Sequence, residues 1–161
     1  MNSLILLRHA EAISGKNSQS DFDRELTTQG LLDANNIGQR LFAAEIRPGL
    51  IIASPAKRTQ QTAIIVAAAL QYDVRDIIFD DRLYDNTQKQ TLKIIHEVDE
   101  SIHQLLLIAH NPTLSDLIHT ICGPSTLHLS TSCAAEIILA TANWYEVDEN
   151  TGYCQQYCSP N

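Results

Sequence analysis

The sequence predicts an α/β protein, a three-layer α/β/α sandwich with a mostly parallel central sheet and an antiparallel edge. Three observations carry this expectation. Short apolar or β-branched runs alternate with longer segments of helical period, as in βα units whose strands pair in parallel. The runs SLILLR (3–8), LIIA (50–53) and QLLLIA (104–109) are apolar almost throughout, as befits strands covered on both faces. Late in the chain, AAEIILA (134–140) and NWYEV (143–147) lie too close together for a crossover, so they are expected as antiparallel edge strands.

In chain order, the first strand (3–8) ends on Arg8 and His9 and runs into the most loop-like stretch, SGKNSQSDFD (14–23). A helix is expected over 28–45, where Leu31, Ala34, Ile37, Leu41 and Phe42 recur at three- and four-residue steps. The strand at 50–53 leads to a helix over 55–71, with Ser54 as cap and Pro55 at the first helical position. DIIF (76–79) is a further strand, followed by a less strongly patterned helix over 87–98. After the strand at 104–109, Asn111-Pro112 repeats the cap-and-proline pattern. It opens a helix over 112–122 with Leu114, Leu117, Ile118 and Ile121 on one face.

A length of 161 residues suits one domain, 1–161, with a proper core. Hydrophobic residues at 44% and charged residues at 19% are ordinary globular proportions. No apolar run approaches the length of a bilayer span, so no membrane partner is expected. A formal charge of −8 argues against nucleic acid, which needs a basic face. The apolar run Leu4 to Leu7 has no basic stretch before it, so it reads as a strand rather than a signal peptide. A cytoplasmic monomer is expected. Cys122, Cys133, Cys154 and Cys158 lack zinc-ribbon spacing and read as free thiols, with a Cys154–Cys158 pair or metal site as the lesser alternative.

Chemistry is expected at the carboxyl ends of the strands, where open α/β sheets bind ligands. Arg8 and His9 follow the first strand; Ser54 and Pro55 follow the second, with Arg58 one turn on; His110 and Asn111 follow LLLIA. Taken singly, Arg58 reads as a solvated helix charge and His110 as a capping histidine. Together, two arginines, two histidines and two helix N-termini at one edge of an acidic chain point to an oxyanion or phosphate site. Other readings account for less. The stretch GKN (15–17) lacks the leading glycine of a phosphate loop, and there is no G-x-G-x-x-G turn. His96, His103, His119 and His128 show no metal-ligand spacing, so neither metal nor cofactor is expected. Asp80 and Asp81 after IIF suggest a phospho-acceptor receiver domain, but that leaves the Arg-His cluster unexplained.

LLRHAEA resembles the Arg-His-Gly signature of the histidine phosphatase superfamily, which contains the cofactor-dependent phosphoglycerate mutases. LTTQG (26–30), SPAKRTQQTA (54–63) and IAHNP (108–112) resemble its next three landmarks, in order. The short chain and the DFDRELTTQG stretch are most similar to the SixA-type phosphohistidine phosphatases. Ala10 stands where the family usually has glycine, and a small residue still fits there.

The resemblance implies a phosphatase in which His9 attacks phosphorus and becomes phosphohistidine. Physical chemistry asks that its attacking nitrogen be unprotonated, which neighbouring guanidiniums favour, and that its other nitrogen be held, as by a backbone carbonyl. Arg8 and Arg58 would clamp phosphoryl oxygens, and His110, when protonated, would add a third positive donor. Asn111, Arg24 and Asn17 are further candidate substrate contacts. RLYD (82–85) resembles the stretch where the mutases carry an acidic proton donor, which points to Asp85, equally readable as a surface residue ahead of a helix. The expected substrate is a phosphorylated protein of the histidine-phosphotransfer type. Only 123–133 (GPSTLHLSTSC) separates the helix after His110 from the next strand, too little for a sizeable lid. The alternatives are a small-molecule phosphomonoesterase or mutase of the same superfamily, and a non-catalytic phosphoprotein-binding module.

Overall fold

A computed structural model describes residues 1–15 and 20–161. Among these residues the elements run β1 (Ser3–Arg8), α1 (Thr28–Ala43), β2 (Leu50–Ala53), α2 (Lys57–Ala69), β3 (Ile78–Phe79), α3 (Gln88–His96), β4 (Gln104–Ala109), α4 (Thr113–Cys122), β5 (Ala134–Leu139) and β6 (Gly152–Cys158). Short 3₁₀ turns lie at Asp21–Asp23, Val74–Asp76, Asp81–Leu83 and Trp144–Glu146.

The strands form one sheet in the order β3-β2-β4-β1-β5-β6. β1, β2, β3 and β4 are mutually parallel, while β5 runs antiparallel to β1 and β6 antiparallel to β5. Alternate side chains of the central strands leave opposite faces. Leu4, Leu6, Ile52, Leu105 and Leu107 pack with Ile94 and Ile95 of α3 and Leu114, Leu117 and Ile118 of α4. Ile5, Leu7, Ile51, Leu106 and Ile108 pack with Ile37 and Leu41 of α1 and Ala63 and Val66 of α2. That two-sided covering is why these strands are apolar at every position, and it makes three layers. The α1–α2 contact is close at Gly38, where a Cβ would crowd Ala69 and Val66.

Three sequence expectations change. Residues 143–147 are not a strand. Trp144 is fully buried and its indole N–H donates to the Ile102 carbonyl at 2.7 Å, while Asn143 and Glu146 close a capping box around the turn. The antiparallel partner of β5 is instead β6, whose GYCQQYC sequence carries little apolar signal because the strand is a largely exposed edge. The run at 76–79 yields only Ile78–Phe79, because the Asp73 side chain accepts from Arg75 N–H and turns the preceding residues into a 3₁₀ helix.

The helix starts also shift. α2 is capped at Ala56 rather than Ser54, whose hydroxyl accepts from Ala56 N–H at 3.3 Å. α4 has Pro112 at its N-cap, with the Asn111 side chain accepting from Ser115 N–H one turn on. Cys122, Cys133, Cys154 and Cys158 are unpaired. Cys154 and Cys158 stand four positions apart on extended β6, roughly 13 Å and beyond disulfide reach.

Candidate active site

Register brings the site together. Arg8 at the end of β1 lies opposite Ala109 at the end of β4, and Ala53 at the end of β2 lies opposite Ile108. The residues that follow, His9, Ser54 and His110, therefore emerge side by side, and His9 N–H donates to the Ala109 carbonyl at 3.2 Å.

His9 is buried, 8% exposed, with Nδ1 2.7 Å from the carbonyl of Ala10. A carbonyl only accepts, so Nδ1 carries the proton and Nε2 is left with its lone pair. Arg58 Nε donates toward that lone pair at 3.4 Å. Burial, with the charges of Arg58, Arg8 and Arg24 in support, pushes His9 down to about 4 against the opposing Ala10 contact. The imidazole is neutral at neutral pH.

The loop behind His9 is anchored from two sides. Ala10 N–H donates to the Thr62 hydroxyl at 3.0 Å, which in turn donates to the Arg58 carbonyl, so the loop after His9 and the arginine helix share one residue. Thr27 N–H donates to the Glu11 carbonyl, and Gly30 lies so near that carbonyl that a Cβ there would overlap its oxygen. That is the physical content of the LTTQG stretch. Ala10 is completely buried, and its methyl is accommodated.

Arg58 is the hub. Its side chain is 7% exposed; Nη1 donates to the Asp21 carbonyl at 2.8 Å and Nη2 to Asp21 Oδ2 at 3.2 Å. Nη2 also lies 3.4 Å from His110 Nδ1. His110 Nε2 is 2.7 Å from the Ser54 hydroxyl. Burial, together with the neighbouring His9 and Arg58, pushes His110 down to about 3, so without a bound anion it is neutral rather than a third cation. The two imidazole centroids are 5.2 Å apart.

Arg8 is fixed by the loop at 123–133, its Nη1 donating to the Leu129 carbonyl at 3.1 Å. Its buried Nε finds no partner among the described residues. The same Leu129 carbonyl accepts from Asn111 Nδ2 at 2.6 Å, and Asn111 Oδ1 accepts from Ser115. Both ends of the Asn111 amide are thus engaged within the protein, so Asn111 holds the pocket wall. Arg24 turns its Nε and Nη2 to Asp21 Oδ1 at 3.1 and 2.9 Å and its Nη1 to the Ile13 carbonyl. It is a partner of Asp21, and among the described residues it makes no hydrogen bond to His9 or Arg58. Asn17 lies outside the described residues. Asp85, at φ 51°, is exposed and lines the cavity mouth.

Asp21, Arg58, Tyr84, Asp85, His110 and Asn111 line a cavity of about 340 Å³. Sequence reasoning singled out neither Asp21 nor Tyr84. The Tyr84 hydroxyl donates to Asp21 Oδ2 at 2.8 Å, and that bond, with Arg58 and Arg24, holds the Asp21 carboxyl down at about 2. The ring of Tyr84 lies edge-on to His110 and to Phe22. Among the described residues no group of three or more His, Cys, Asp and Glu side chains is arranged to hold a metal ion.

Two guanidiniums and two neutral imidazoles at the carboxyl edge of the parallel strands form an arrangement able to hold a phosphoryl-like anion beside an unprotonated histidine nitrogen. Residues 4–101 match the profile of the histidine phosphatase superfamily (branch 1), and the chain belongs to that family.

A crystal structure from Agrobacterium tumefaciens, described as a candidate phosphohistidine phosphatase SixA, superposes with a TM-score of 0.85 at 25% identity, covering 99% of this chain and 98% of that one. The protein histidine phosphatase SixA complexed with tungstate gives 0.83 at 22% identity, covering 98% and 97%. An alpha-ribazole phosphatase from Shigella flexneri gives 0.73 at 15% identity, covering 98% and 96%. The mitochondrial serine/threonine-protein phosphatase Pgam5 of Drosophila ananassae is 35% identical over 75 residues, 47% of this chain. That match spans a quarter of the relative's length.

Proposed function

We propose that this protein is a metal-independent phosphatase that removes the phosphoryl group from phosphohistidine on proteins through a phosphorylated His9. The observation that carries the reading is the unprotonated Nε2 of a buried His9, fixed by the Ala10 carbonyl and facing Arg58. The family and its SixA-like fold support it, as does one SixA structure holding tungstate, a tetrahedral oxyanion.

The His9 Nε2 lone pair forms a bond to phosphorus while the P–N bond of the substrate breaks, its electron pair staying on the departing imidazole. Arg8 and Arg58 neutralise the equatorial oxygens, which is most of what phosphoryl transfer asks of a protein. The incoming dianion also draws a proton onto His110, adding a donor. Water then attacks phospho-His9; the P–N pair returns to Nε2 and the water proton leaves with inorganic phosphate.

Rapid quench tests this. Acid-labile phosphate is expected on His9 in the wild type, and neither label nor turnover in folded His9→Ala. Label on Asp80, or turnover in the variant, would overturn it.

A second reading, hydrolysis of small phosphomonoesters, is favoured by one feature: Asp85 stands at the mouth of the cavity, where an alcohol leaving group needs a proton. Against a small-molecule preference, Asp21, Phe22 and Asp85 at the rim are exposed, and 123–133 is spent on holding Arg8 and Asn111 rather than covering a ligand. An open rim suits a side chain presented by another protein. A turnover screen of phosphohistidine peptides against sugar and glycerate phosphates separates the two readings.

A further inference from the structure

The cavity mouth is lined by groups that the phosphoryl chemistry does not use. Asp21 sits over Arg58 with four donors on its carboxylate: Arg24 Nη2 at 2.9 Å and Nε at 3.1 Å on Oδ1, and the Tyr84 hydroxyl at 2.8 Å and Arg58 Nη2 at 3.2 Å on Oδ2. The Arg58 contact is the longest of the four. A phosphoryl oxygen bound by Arg58 takes that donor and leaves Oδ2 with an open acceptor site facing the cavity. Beside it stand the ring of Tyr84, with Phe22 edge-on at 5.0 Å. An anion next to aromatic rings is an environment for a flat cation.

We propose that Asp21, braced by Arg24 and Tyr84, selects the leaving group: its carboxylate favours a substrate whose phosphorylated group binds as a cation, the N-phosphoimidazolium form of phosphohistidine, over neutral or anionic phosphate esters. This rests on the phosphohistidine reading above and names the residue behind its selectivity. The chemistry is consistent. With a proton on its distal nitrogen, donated to Asp21 Oδ2, the imidazole ring keeps the electron pair of the broken P–N bond and departs neutral. No acid is needed in that step. An ester oxygen would leave as an alkoxide or phenoxide and gains nothing from a second negative charge. Asp21, held at about 2, carries no proton to give it.

Asp21 also orients Arg58, so its loss slows every substrate; the ratio between two substrates isolates the selective part. The experiment measures kcat/KM on a phosphohistidine peptide and a phosphotyrosine peptide for wild type, Asp21→Asn and Asp21→Glu. The phosphohistidine-to-phosphotyrosine ratio is expected to fall about tenfold in Asp21→Asn, the scale of one partly desolvated charge contact. In Asp21→Glu, which keeps the charge, the ratio is expected to return toward the wild-type value. With an active wild type, an unchanged ratio in Asp21→Asn, or equal falls in both variants, overturns the assignment alone. A wild type inert toward the phosphohistidine peptide overturns the functional reading and this inference with it.

Discussion

Asp85 and the two pocket histidines each test the site one residue at a time. If the Asp85 carboxyl supplies the proton that an alcohol needs and an imidazole does not, Asp85→Asn should slow phosphomonoester hydrolysis much more than phosphohistidine hydrolysis. Paired kcat/KM values decide it, and equal losses would remove this acid's role. The histidines make a stability prediction. His9 and His110 sit at about 4 and about 3 in the folded protein against an ordinary 6.5. Below 6.5 the unfolded chain binds protons that the native state refuses, so stability should fall as pH drops from 6.5 toward 4 for His9 and toward 3 for His110. Urea denaturation at pH 7 and pH 5 should show a smaller loss in His9→Asn/His110→Asn than in the wild type. An identical pH dependence would mean that neither ring is held neutral by burial.

At the scale of elements, the start of α1 positions the loop after His9. Thr27 caps the helix through Gly30 N–H and also donates its hydroxyl proton to Glu11 Oε1 at 2.8 Å, while Gly30 touches the Glu11 carbonyl. Gly30→Ala should therefore cost roughly 1–3 kcal/mol, the usual range for overpacking, and lower kcat/KM by displacing the loop behind His9. Gly49→Ala is the control, since a Cβ there meets Ile102 and the Gln104 carbonyl only at ordinary contact distance. Equal unfolding free energies for the two variants would show that the α1–loop contact does not constrain the site. The same scale explains the misread elements. Trp144 follows a strand-like pattern but is a single buried anchor in a capped turn, and β6 is an edge whose Gln156 pairs with Glu136 instead of filling a core. Local pattern reports burial, and an edge strand has little of it.

For the molecule as a whole, the proposed mechanism assigns to protein charge the task a metal ion performs elsewhere. In that mechanism Arg8 and Arg58, rather than a divalent cation, would neutralise the phosphoryl oxygens. Turnover should accordingly be unaffected by EDTA; activity lost to chelator and restored by one divalent metal would contradict the mechanism. The acidic balance of the chain, −8 overall, makes the arginines of this edge more conspicuous, and three of the four parallel strands that end there, β1, β2 and β4, lead into site residues.

Much of this was legible from residues alone. Apolar runs at 3–8, 50–53 and 104–109 require a sheet covered on both faces, and strands joined by helices require parallel pairing, which delivers Arg8, His9, Ser54, Arg58 and His110 to one edge. Those features follow from period and order along the chain. What only the tertiary structure decided depends on where loops come to rest. Arg58 and Tyr84 lie 37 and 63 positions from Asp21 and meet it only across the cavity. Asn111 and Arg24 read as candidate ligand contacts, but the fold commits Asn111 to the Leu129 carbonyl and Ser115, and Arg24 to Asp21 and the Ile13 carbonyl. The protonated nitrogen of His9 was likewise decided by a single carbonyl 2.7 Å away. Hydrogen bonds between distant loops carry no periodic signature, because they depend on the register of the sheet and the path of chain between its strands.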